Sequence, residues 1–132
     1  MKKIILESTI KTPKVVLDLE QRRFEFSGES RPENVLAFYD PILKWMNEFG
    51  EELKKQEDKS EPYEFNFNFE YFNSLSAKYI LDLCKKIKRI QSEGNNLTVK
   101  WHYDTDDDDM LEVGNEMSKI LQLPFEFIEI TA

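Results

Sequence analysis

From Tyr63 to Tyr71 the chain alternates without a break: Tyr63, Phe65, Phe67, Phe69 and Tyr71 on odd positions, Glu64, Asn66, Asn68 and Glu70 between them. A period of two over nine residues fits an extended strand and no helix, because successive strand side chains point to opposite faces. One face of that strand is wholly aromatic and the other wholly polar. It therefore demands a sheet with one face on a core and the other near solvent or a partner. Ten Phe, five Tyr and two Trp in 132 residues say that this core is aromatic-rich.

The rest of the chain supplies the partners of that strand. Ile4–Leu6 reads as a short first strand, punctuated by Thr12-Pro13. Val15 to Leu19 and Arg23 to Phe26 read as a hairpin that ends at Gly28. Ser30-Arg31-Pro32-Glu33 has capping-box spacing, with Ser30 at the N-cap, and predicts a helix to about Tyr39. Asp40-Pro41 reads as a second helix start, so a broken helix is expected, its second part carrying Ile42, Trp45, Met46, Phe49 and Leu53 to about Gln56. The charged stretch from Gln56 to Pro62 is a loop. After the aromatic strand, Asn73 caps a helix carrying Ile80, Leu83, Cys84, Ile87 and Ile90, which Gly94-Asn95-Asn96 ends. Leu97, Val99, Trp101 and Tyr103 form a strand. Met110, Val113, Met117, Ile120 and Leu121 form a helix that Pro124 stops, and Phe125 to Ile130 closes the chain as a strand. The order β-β-β-α-β-α-β-α-β predicts an α/β fold with a mixed sheet and helices packed on it. The length suits one domain, residues 1–132.

Charge narrows the function. The net charge of −8 leaves no basic stripe for a nucleic-acid backbone and opposes docking on an anionic membrane. It would steer a partner with a basic patch. No apolar stretch approaches the length that spans a bilayer, and the apolar run after Lys2-Lys3 breaks at Glu7, too early for a signal-peptide core. The expected compartment is the cytoplasm. A single cysteine rules out an intrachain disulfide.

Catalytic and cofactor signatures are missing. No glycine-rich phosphate loop, Walker sequence, H-E-x-x-H or paired C-x-x-C occurs. The Asp104–Asp109 run offers oxygen ligands for Mg²⁺ or Ca²⁺, but it lacks the glycine of an EF-hand loop. It reads better as a loop whose last Asp caps a helix, so no metal and no cofactor are expected. His102, the lone histidine, has no nucleophile beside it and reads as a surface strand residue; Cys84 reads as a buried structural thiol. No catalytic residue is assigned.

Asn73-Ser74-Leu75-Ser76-Ala77-Lys78 stands where the aromatic strand hands over to a helix. Ser74 falls in the first helical turn, where backbone amides lack partners and the dipole favours an anion. A phosphate there would add about −2 charges without unfolding the helix. Plain capping would explain Ser74 and Ser76 equally well from chemistry alone.

Four segments together decide between these readings: Gly28-x-Ser30-x-Pro32-Glu33-Asn34 with Phe38-Tyr39, Tyr71-Phe72-Asn73-Ser74-x-Ser76-x-Lys78, Val99-x-Trp101-x-Tyr103-Asp104, and Thr12-Pro13 before a Val/Leu run. Their order and spacing resemble the SiaC-type family of bacterial regulatory phosphoproteins along nearly the whole chain. The resemblance implies a STAS-like fold, similar to anti-sigma-factor antagonists, and no enzymatic activity. It implies phosphorylation of a hydroxyl directly after Asn73, hence Ser74, with Ser76 as the fallback because Leu75 departs from the family's pattern. It implies a Ser/Thr protein kinase, a PP2C-like phosphatase, and a target that the unmodified form binds, a diguanylate cyclase in the described network. Tyr71, Phe72 and Lys78 are the candidate partner contacts. The competing expectation is a constitutive acidic binding module with no switch.

Overall fold

The computed structural model describes residues 1–131. Six strands, β1 (Ile4–Leu6), β2 (Lys14–Asp18), β3 (Arg23–Ser30), β4 (Tyr63–Phe72), β5 (Leu97–Asp104) and β6 (Phe125–Ile130), form one sheet in the order of the chain. β1, β2 and β3 pair antiparallel; β3 to β6 pair parallel. Each parallel step crosses through a helix: α1 (Val35–Leu53), α2 (Ser74–Ser92) and α3 (Asp108–Leu121). Each new strand adds on the same side of the last, so crossovers of one hand stack all three helices on one face. The mixed sheet expected from the element order is the one observed.

The alternation of β4 builds the core on that face. Tyr63, Phe65, Phe67 and Phe69 are buried beside Phe24, Phe26, Val99, Trp101 and Phe125 of neighbouring strands. Parallel register stacks Phe24 on Phe65, with ring centroids 4.7 Å apart, and Phe26 on Phe67 at 5.0 Å. The opposite face carries no helix. Glu25, Asn66, Lys100 and Glu126 share one row across it.

Several local expectations needed correction. Ser30 does not cap α1: it ends β3, fully buried, and Asn34 caps the helix by accepting from the Ala37 amide at 3.1 Å. Glu33 consequently bonds Lys11 rather than closing a capping box. α1 does not restart at Asp40-Pro41 but runs through Pro41, and it stops at Leu53 rather than Gln56. A proline inside a helix costs about 3 kcal/mol through a lost hydrogen bond and a ring clash; continuity keeps Tyr39, Ile42, Trp45, Met46, Phe49 and Leu53 on a single buried stripe, which is worth more. Asp40, with no helix end to cap, pairs with Lys44. Gly28 does not end the hairpin strand; at φ +102° it stands where the β3–β4 register slips by one residue. In the acidic run it is Asp107, not the last aspartate, that caps α3, accepting from the Met110 amide at 3.0 Å.

The register slip also ends the strict aromatic face. Before it Gly28 pairs with Phe69; after it Glu29 pairs with Tyr71. The extra β4 residue turns Tyr71 outward, half exposed, and turns Phe72 inward against Phe69 and Trp101 at 5.4 and 6.2 Å.

Candidate functional site

The bulge, at Glu70, lies three residues before the α2 cap Asn73, and it orients the residues that lead into Ser74. β3 and β4 stay paired to Ser30 and Phe72, and the Ser30 carbonyl then accepts from the Asn73 amide at 3.1 Å. Asn73, in extended conformation, accepts from the Ser76 amide with its side chain at 2.9 Å. Ser74 is therefore the first helical residue, and it is exposed. No acidic residue occupies the first turn of α2, whereas α3 carries Asp108 and Asp109 there. The positive end of the α2 dipole thus faces solvent at Ser74 without an acidic side chain from its own first turn.

Ser76 has the opposite environment. Its hydroxyl is fully buried and accepts from Ser30 Oγ at 2.9 Å, while Ser30 Oγ in turn bonds the Tyr39 hydroxyl. These three side chains, from α2, β3 and α1, make a closed polar chain inside an apolar layer. Burial pushes the Tyr39 phenol up to about 12, partly offset by the hydroxyls of Ser30 and Ser76. The two candidate serines, two positions apart, differ completely in access.

The end of the sheet that carries Ser74 exposes several large apolar side chains. Leu75 is 63% exposed, Leu36 in the first turn of α1 56%, and Tyr71 50%. Ile10, 80% exposed, belongs to the β1–β2 loop, which Arg31 holds against this end of the sheet through bonds to the Ile10 and Lys11 carbonyls. Lys78, one turn after Ser74, is exposed and its ammonium rests 5.2 Å from the Tyr79 ring. Asn73, Ser74, Tyr71 and Lys78 are thus brought to one surface. Phe72 is largely committed to the core. Ile10, Leu36 and Leu75 were not singled out from the sequence as partner contacts, since each lies off the buried stripe of its segment and no periodicity marks it.

The other candidates lie apart. His102 Nε2 sits 3.0 Å from Asn66 Oδ1 on the helix-free face; partial burial first, and Lys100 second, hold its pKa below the usual histidine value. Cys84 is fully buried in α2, which pushes its thiol up to about 12. Among the described residues no three His, Cys, Asp or Glu side chains converge as metal ligands, and no helix is long and apolar enough to cross a membrane.

A family model, SiaC family regulatory phosphoprotein, matches residues 6–130. The chain belongs to the SiaC family. Its fold is that of SiaC of Pseudomonas aeruginosa, with a TM-score of 0.79, 23% identity and complete coverage of both chains. A second solved structure, diguanylate cyclase SiaD in complex with its activator SiaC from Pseudomonas aeruginosa, matches at a TM-score of 0.80 and 22% identity, over 98% of this chain and 99% of that one. An uncharacterized protein of Pseudomonas aeruginosa (strain UCBPP-PA14) is 24% identical over 125 residues, 95% of this chain and 94% of its own length. This SiaC-family chain is thus a regulatory protein by family and a mixed six-stranded α/β domain by structure.

Proposed function

We propose that this SiaC-family chain is a non-catalytic partner-switching protein of the cytoplasm, controlled by reversible phosphorylation of Ser74. The observation that carries the reading is the exposed Ser74 at a helix N-terminus with no acidic residue in its first turn, beside exposed Tyr71 and Leu75 and at the end of the sheet that also exposes Ile10 and Leu36. Exposed apolar side chains gathered at one place mark a surface for a protein partner. A dianionic group placed among them is held by the helix dipole and by Lys78, and it makes apolar contact costly to desolvate. Ser74 can accept a phosphoryl group in the folded state. Ser76 would first have to break its bond to Ser30, so it is the less accessible fallback.

The target class follows the relative's complex of a diguanylate cyclase with its activator; in this reading the unmodified form of the present chain binds and activates such a cyclase. A Ser/Thr protein kinase and a PP2C-like phosphatase would set the phosphorylation level. Binding of Ser74→Ala and Ser74→Asp to the cognate cyclase tests the switch. Ser74→Ala is expected to bind as the unmodified protein does, and Ser74→Asp at least about tenfold more weakly, an effect of roughly 1.4 kcal/mol. Equal affinities would leave only a constitutive binding module.

A further inference from the structure

The N-terminal edge of the sheet is unfinished. β1 pairs only with β2, so one side of Ile4–Leu6 presents free backbone groups. α1 overhangs this edge. Ile4 and Leu6 of β1, Ala37, Phe38, Pro41 and Ile42 of α1, and Glu7 and Thr12 at its rim line a largely apolar groove of about 450 Å³. That space is where the helix-facing side chains of a further strand would go. Trp45 Nε1 donates to the Lys2 carbonyl at 2.7 Å and fixes the start of the strand. Ile5, on the other side of β1, is 49% exposed.

The sequence of this edge is complementary to itself. In Lys3-Ile4-Ile5-Leu6-Glu7, antiparallel pairing about Ile5 sets Ile5 against Ile5, Ile4 against Leu6 twice, and Lys3 against Glu7 twice. Within β1, Ile5 faces away from Ile4 and Leu6; continuing that alternation one residue past each end of the strand on pairing would put Lys3 and Glu7 on the Ile5 face. The two ion pairs would then flank the Ile5 contact, and Ile4 and Leu6 of each copy would enter the groove under the other's α1. Lys3 and Glu7 are both exposed and, among the described residues, neither is in an ion pair.

We infer that β1 is a self-association edge: two copies join antiparallel about Ile5 into one continuous sheet with a two-fold axis. The contact is isologous, so it closes at a dimer. It uses only a three-residue strand and its flanks, which is small against the area of a permanent interface, so the dimer is reversible, with dissociation roughly in the micromolar to sub-millimolar range. The contact does not involve Ser74 and stands or falls separately from the phosphorylation reading.

Charge exchange tests it at exposed positions that leave the fold alone. Sedimentation equilibrium of the whole chain should show a monomer–dimer equilibrium that weakens as salt is raised. Lys3→Glu and Glu7→Lys, taken singly, each put like charges opposite one another twice. Each should weaken dimerisation at least about tenfold. The double variant Lys3→Glu/Glu7→Lys restores both pairs and should dimerise like the parent. An equimolar mixture of the two single variants should form a heterodimer that neither forms alone. A wild-type chain monomeric up to about 1 mM, or a dimer indifferent to the single exchanges, overturns the inference.

Discussion

Ser30 sits at the centre of the buried hydroxyl chain, and its removal should have a consequence that no pairwise contact list gives. In Ser30→Ala the Tyr39 hydroxyl loses its bonded partner and the Ser76 hydroxyl loses its donor, both at sites with no solvent exposure. An orphaned buried polar group costs about 1–3 kcal/mol, so the variant should lose roughly 2–4 kcal/mol. Tyr39→Phe removes only the end of the chain, since Ser30 can still donate to Ser76; it should cost about 1 kcal/mol. In the Ser30→Ala background the same Tyr39→Phe change removes an orphan and should return about 1 kcal/mol. The effect of one substitution thus changes sign with the other. Urea unfolding of the four proteins measures this. With slopes of about 1–3 kcal/mol per molar urea, Ser30→Ala should lower the midpoint by about 1–2 M and the double variant should recover part of it. If Tyr39→Phe costs the same in both backgrounds within about 0.5 kcal/mol, the three hydroxyls do not act as a chain and the reasoning fails.

Three further outcomes are expected. Stability should fall in alkali: Tyr39 and Cys84 are both pushed up to about 12 by burial, so their contributions are complete below the unfolded values, 10.0 and 9.0, and are lost as pH rises through 12. At about 1.4 kcal/mol per unit these losses are on the order of 3 and 4 kcal/mol, and urea midpoints of Tyr39→Phe across pH 9–12 should fall less steeply than those of the parent. Gly114→Ala would bring a methyl to 2.5 Å from Trp101 Nε1, which donates to the Met110 carbonyl. A Tm lowered by roughly 3–8 °C is expected, overpacking of about 1–3 kcal/mol exceeding the better helix propensity of alanine. Asn73→Ala removes the acceptor for the Ser76 amide and should cost about 1 kcal/mol in thermal or urea unfolding.

Local periodicity determined the element order. Six strands and three helices were legible because β4 alternates strictly and the helices carry apolar residues at 3.6-residue spacing, patterns that only burial on a common core explains. Asn73 as a cap was legible for the same reason: its bond to the Ser76 amide is made within four residues. Where two local signals competed, sequence alone misread them. Ser30-x-x-Glu33 has capping chemistry, and Asp40-Pro41 has the look of a helix start. The Tyr39–Phe49 stripe needed an uninterrupted α1, and Ser30 was claimed by partners nine and forty-six residues away.

The candidate site divides in the same way. That a serine follows the α2 cap is written in the chain, along with the family resemblance. That Ser74 is open while Ser76 is locked is tertiary, because it depends on β3 and α1 arriving beneath α2. The register slip beside Gly28, which turns Tyr71 out and Phe72 in, arises between two strands and is invisible in either one. So is the placing of exposed Ile10, Leu36 and Leu75 at one end of the sheet. Periodicity reports which face of an element meets a core; which residues of different elements meet each other is decided only when the sheet sets their register.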